Sequence, residues 1–119
     1  MSYKKGDIVV VKFPFMLKDR MIVQKGRPAL IISDDKVERR YKDVILAAIT
    51  SHIPEIIMES EIILEPIKPS GLVKKSLLRL DFIMTVPEEL ISRKIGALPG
   101  NLIKGMERKL TRLFGISTT

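Results

Sequence analysis

The stretch Lys25-Gly26-Arg27-Pro28-Ala29-Leu30-Ile31-Ile32-Ser33 decides how the rest of the chain is read. Pro28 fixes its own φ and pushes Arg27 out of helical geometry, so the backbone enters an extended segment at the arginine. An apolar run follows at once, which predicts a strand over Pro28 to Ser33 with a cation held at its edge. Working outward, Asp7 to Phe13 is apolar and β-branched and predicts a first strand, ended by Phe13-Pro14-Phe15. Met16 to Gly26 has no sustained apolar period and closes on a glycine, as expected of a mobile connection. Asp34 to Asp43, with Arg39-Arg40-Tyr41-Lys42, is a highly charged turn region.

Val44 to Ser51 is apolar on both parities until its polar end, which predicts a central strand covered on both faces, with only its terminus open to chemistry. Glu59 to Glu65 alternates, with Glu59, Glu61 and Glu65 on one side, and reads as a strand with one wet face, an acidic stretch ill suited to binding a polyanion. In the strand expected over Lys74 to Met84, Leu78, Leu80 and Phe82 share one face while Leu77, Arg79 and Asp81 share the other. Pro87 to Leu90 reads as a short helical turn and Arg93 to Leu98 as a last short strand. Leu102 to Phe114 carries the stripe Leu102, Ile103, Met106, Leu110 and Leu113 of an amphipathic helix, with Gly115 as its stop. Many short strands and one terminal helix predict a small, strongly curved antiparallel barrel.

The 119 residues fit one domain, 1–119, with one core. An apolar share of 45% with only 5% aromatic makes that core aliphatic and argues against binding RNA on aromatic platforms. Without cysteine there is no disulfide, thiolate metal site or cysteine nucleophile. The first residues lack the long apolar run of a signal peptide and no stretch is long enough to span a bilayer, so a soluble, cytoplasmic protein with no membrane partner is expected. The formal charge of +7 attracts polyanions. Much of it lies from Arg93 onward, where six cations face Glu107 alone; this is either an RNA-facing patch or the solvated face of a helix.

The order Gly6-Asp7-Ile8-Val9-Val10-Val11, Gly26-Arg27-Pro28-Ala29-Leu30, Ile49-Thr50-Ser51, Leu78-Arg79-Leu80-Asp81 and Lys94-Ile95-Gly96-Ala97-Leu98 resembles the MazF/PemK/Kid toxins of type II toxin–antitoxin systems, over nearly the whole chain. The resemblance implies an SH3-like barrel of the MazF/Kid/CcdB kind with a C-terminal helix, assembled as a homodimer with its RNA site near the dimer groove. It implies an endoribonuclease that cuts single-stranded RNA, messenger RNA in particular, by attack of the 2′-hydroxyl, leaving a 2′,3′-cyclic phosphate and a 5′-hydroxyl. No metal or other cofactor is expected, and a cognate antitoxin with an acidic, apolar tail is the expected protein partner. Two other readings keep the fold: a CcdB-like gyrase poison, which lacks the Arg-Pro, Thr-Ser and Arg-x-Asp set, and a weak RNA- or antitoxin-binding homologue.

Cleavage of this kind needs a proton acceptor for the 2′-hydroxyl, stabilisation of the phosphate's charge and a proton for the 5′-oxygen. Arg27 matches the family's catalytic arginine, and a guanidinium fork suits phosphate oxygens; its structural use would be an ion pair with Asp34 or Asp35. Thr50 matches the threonine that contacts the scissile region, with Ser51 beside it, although turn hydrogen bonding is the commoner use of such a pair. Arg79 and Asp81 match the Arg-x-Asp pair that Kid-type members use as acid and base, and a salt bridge at the sheet edge is the structural alternative. His52 is the only histidine and shares parity with Thr50; it is either catalytic or an exposed turn residue. Many family members carry Gly-x-Glu-Gln before Arg-Pro and Kid-type members a histidine there, whereas this chain has Met21-Ile22-Val23-Gln24, so lower activity or altered sequence preference is expected. Gln24 retains an amide at that place, and Lys18, Arg20 and Lys25 are candidates for phosphate contacts that position RNA without reading it.

Overall fold

The computed structural model describes residues 3–16 and 22–117. Along the chain run β1 (Asp7–Met16), β2 (Ile22–Ile31), β3 (Asp43–Thr50), β4 (Glu61–Leu64), β5 (Ser76–Pro87), a 3-10 turn (Glu88–Leu90), β6 (Ile91–Ala97) and α1 (Gly100–Leu113). The strands form one antiparallel sheet in the order β4-β5-β3-β2-β1-β6. Among the described residues no helix is long and apolar enough to cross a membrane.

The predicted loop over Met16 to Gly26 is largely strand. β1 and β2 form a long hairpin whose ladder runs from Ile8↔Leu30 to Met16↔Ile22, so regular pairing continues far beyond the apolar stretch that signals it. Cross-strand hydrogen bonds order these residues without any apolar period of their own. Residues 17–21, between the two strands in sequence, lie outside the described residues.

Alternation along the strands builds two cores. One face gathers Ile8, Leu30, Ile49, Leu64, Leu78 and Leu80, and α1 covers it with Met106 while Leu102, Ile103 and Leu110 pack alongside. The other face gathers Val9, Val11, Ala29, Ile31, Leu46 and Val86. β3 supplies both clusters, as its apolar residues on both parities require. Each fully buried Leu or Ile stabilises the fold by about 1.5–3 kcal/mol relative to exposure. Leu113, expected in the helix stripe, is 40% exposed at the last turn. Gly115, at φ +66, ends α1: its N–H donates to Arg112 O and that of Ile116 to Thr111 O, the paired bonds of a Schellman motif.

The sheet does not close into the expected barrel. β4 and β6 stay at its two edges, and the turn that follows β4 spans the gap instead. Ala97 N–H donates to Pro69 O over 2.7 Å. Gly71, at φ +69, passes so near β6 that a Cβ on it would lie 1.8 Å from Ile95 O. Buried Ser70 donates its hydroxyl within the same turn, to Glu65 O or Ile67 O, and accepts from Leu72 N–H. Backbone contact therefore substitutes for a closing ladder.

Candidate active site

Sheet register brings the distant motifs onto one face. Val11↔Arg27 and Ala29↔Ala48 set residues 27, 29 and 31 of β2 beside 46, 48 and 50 of β3, on the face that α1 leaves uncovered. Ala48↔Arg79 and Thr50↔Leu77 add β5, and Glu61↔Arg79 adds β4. At the end of this face lies a cleft of about 610 Å³ lined by Arg27, Thr50, His52, Glu61 and Arg79, with Leu77, Phe82 and Met84 among its apolar residues.

A wide bulge in β5 shapes the floor. Ala47 pairs with Ile83 but Ala48 pairs with Arg79, so residues 80–82 are looped out of the β3 ladder. Simple alternation places Phe82 opposite Arg79; three extra residues invert the parity and bring Phe82 to the cleft beside it. The Arg79 guanidinium lies 5.4 Å from the centre of the Phe82 ring, and Phe82 is 42% exposed. The carbonyl of Ser60, just before β4, accepts the freed N–H of Leu80.

Arg79 and Asp81 emerge on one side of β5, as their spacing predicts, and form the salt bridge named above as their structural use. Nε donates to Oδ1 at 3.3 Å and Nη2 to Oδ2 at 3.1 Å, a two-pronged fork. The hydrogen bond to Asp81, opposed by slight desolvation and aided by the charges of Asp81 and Glu61, holds the Arg79 guanidinium above its already high pKa. A guanidinium is a cation throughout the physiological range in any case. Thr50 Oγ1 accepts the backbone N–H of His52 at 3.1 Å. That fills one acceptor site and leaves the hydroxyl hydrogen available to a ligand.

Arg27, Thr50 and Arg79 thus meet in the cleft, and Asp81 adjoins it through Arg79. Ser51 is exposed but does not line the cleft. Lys18 and Arg20 lie outside the described residues, while Gln24 and Lys25 are described only as backbone of β2. Glu61, from the acidic strand, also lines the cleft; its Oε1 accepts Met58 N–H at 2.8 Å. The sequence gives no sign that Glu61 and Phe82 reach this cleft, the first because pairing with β5 is not encoded locally and the second because alternation points it the wrong way. The C-terminal cations belong elsewhere. Lys109 donates to Glu59 O at 2.7 Å, Arg112 pairs with Glu59, Lys94 lies 3.2 Å from Asp7, and none of the cations from Arg93 onward lines the cleft. Among the described residues no group of three or more His, Asp or Glu is arranged to hold a metal ion.

Six antiparallel strands with one C-terminal helix are the architecture of the MazF toxins. The structure of the Mycobacterium tuberculosis toxin MazF-mt6 matches with a TM-score of 0.73 at 21% identity, covering 94% of this chain and 99% of that one. An endoribonuclease in complex with its cognate antitoxin from a mycobacterial species matches with a TM-score of 0.75 at 14% identity, covering 99% and 100%. A MazE–MazF structure from Deinococcus radiodurans gives 0.72 at 18% identity, covering 97% of each chain. No functionally curated protein gives a significant sequence match. The model of the PemK-like, MazF-like toxins of type II toxin–antitoxin systems matches residues 4–114, and this chain belongs to that family.

Proposed function

We propose that this protein is a metal-independent endoribonuclease toxin that cuts single-stranded RNA, messenger RNA in particular, works as a homodimer and is silenced by a cognate antitoxin. The observation that carries this reading is the meeting of Arg27, Thr50 and Arg79, 52 residues apart from first to last, in one cleft. Family membership supports it, since PemK/MazF toxins are generally endoribonucleases.

In this mechanism the 2′-oxygen attacks phosphorus and the P–O5′ bond breaks, leaving a cyclic phosphate and a free 5′-hydroxyl. Arg27 and Arg79 bind the non-bridging oxygens and stabilise the charge that builds on them. The Thr50 hydroxyl donates to one of those oxygens. Each Asp81 oxygen accepts from Arg79 and keeps a further acceptor site, so the carboxylate takes the 2′-hydroxyl proton. An antitoxin tail carrying carboxylates would compete for the same two guanidinium groups.

The test is cleavage of a mixed-sequence single-stranded RNA in EDTA, with product ends identified by mass spectrometry. Cyclic phosphate and 5′-hydroxyl ends that disappear with Arg27→Ala are expected. Binding without cleavage, or gyrase inhibition without cleavage, would overturn the proposal.

A further inference from the structure

His52 lines the cleft and has no part in the mechanism so far. We propose that His52 is its general acid, passing a proton to the 5′-oxygen as the P–O5′ bond breaks; this rests on the RNA-cleaving reading above. β3 ends at Thr50, and the exposed chain beyond it carries His52 into the lining of the cleft shared by Arg27, Thr50 and Arg79. The His52 backbone N–H, bonded to Thr50 Oγ1 at 3.1 Å, closes a local turn that fixes residue 52 beside the threonine.

The charged groups that line the cleft with His52 are Arg27 from β2, Glu61 from β4 and Arg79 from β5, and Asp81 adjoins it through its bonds to Arg79. Guanidinium groups do not release protons at neutral pH. Asp81, held in the Arg79 fork, is already the base that takes the 2′-hydroxyl proton, and Glu61 Oε1 is taken up by Met58 N–H while its residue pairs with Arg79 across the β4–β5 ladder. Imidazole is the ordinary side chain that carries and releases a proton between about pH 5 and 8. A departing alkoxide is strongly basic and needs that proton most.

The step balances. The O2′–P bond forms and its proton passes to the Asp81 carboxylate. The P–O5′ bond breaks, and its electron pair takes the proton from the His52 imidazolium. Water returns a proton from Asp81 to His52 before the next turnover.

The experiment compares wild type and His52→Gln on two RNAs, one ordinary and one with sulfur bridging the scissile phosphorus and the 5′-carbon, whose thiolate leaves without protonation. Circular dichroism checks the fold, and glutamine keeps the backbone N–H that holds Thr50. On ordinary RNA the variant is expected to be roughly 100-fold slower, and a fall in rate at alkaline pH is expected for wild type but not for the variant. On the sulfur-bridged RNA both proteins should cleave at similar rates. Equal activity on ordinary RNA, or an equal loss on both substrates, overturns the acid role while leaving the nuclease reading intact. If wild type cleaves neither RNA, the nuclease reading falls and takes the role of His52 with it.

Discussion

Thr50→Val separates a catalytic hydroxyl from a structural one. Valine keeps the β-branched shape that suits the end of β3 and removes only the oxygen. The structural loss is the bond that Thr50 Oγ1 accepts from His52 N–H, and because His52 is exposed, water replaces the partner. That puts the stability cost near the low end for a hydrogen bond, about 0.5 kcal/mol. If stability were all that changed, cleavage at saturating protein would fall by at most roughly twofold. Removal of a donor aimed at developing charge costs about 10²–10³-fold, or roughly 2.7–4 kcal/mol. Single-turnover cleavage of a fluorescent RNA, read beside a urea melt, distinguishes the two scales. Thr50→Ser, which restores the hydroxyl, should return to within a fewfold of wild type. A Thr50→Val protein that cuts within threefold of wild type would refute the role given to this side chain.

Arg79→Lys keeps a positive charge but cannot make the two-pronged contact to Asp81; cleavage should fall by roughly tenfold or more, while stability, measured by thermal melting, changes by less than about 1 kcal/mol because the pair is exposed. Gly71→Ala introduces a side chain at φ +69 against Ile95 O, and should destabilise the fold by about 2 kcal/mol or more, seen as a Tm lower by roughly 8 °C. The Lys5 ammonium is held above its ordinary pKa of 10.5 by its hydrogen bond to Glu107, against a smaller desolvation effect. Its folded pKa is raised, so the stabilisation is complete below pH 10.5 and is lost as pH rises through the higher folded value. Lys5→Met should therefore melt earlier than wild type at neutral pH, with the two curves converging in strong alkali.

Local chemistry made much of the fold readable. Pro28 announces an extended Arg27, the double-sided apolar pattern of Val44 to Ile49 marks a central strand, and the stripe ending before Gly115 gives the helix. What stayed hidden depends on pairing between remote segments. Gly26 and Gln24 carry no strand signal of their own and are ordered by Lys12 and Pro14 across the hairpin. The open sheet reflects the contact of Pro69 and Gly71 with β6, which no periodicity encodes. At the cleft, Arg27, Thr50 and Arg79 were legible as motif positions. Phe82 was not, because the bulge at residues 80–82 reverses the parity on which the reading relied.

A double-mutant cycle in EDTA on Arg27→Ala and Thr50→Val tests most directly whether these side chains serve one phosphodiester. Groups that act together on a single transition state give losses that do not multiply. Each substitution alone should slow cleavage by about 100-fold, and the double variant should be no more than roughly tenfold below the worse single one. Fully multiplied losses, near 10⁴-fold, would contradict joint action at one phosphate, and single variants that cleave like wild type would contradict the site itself.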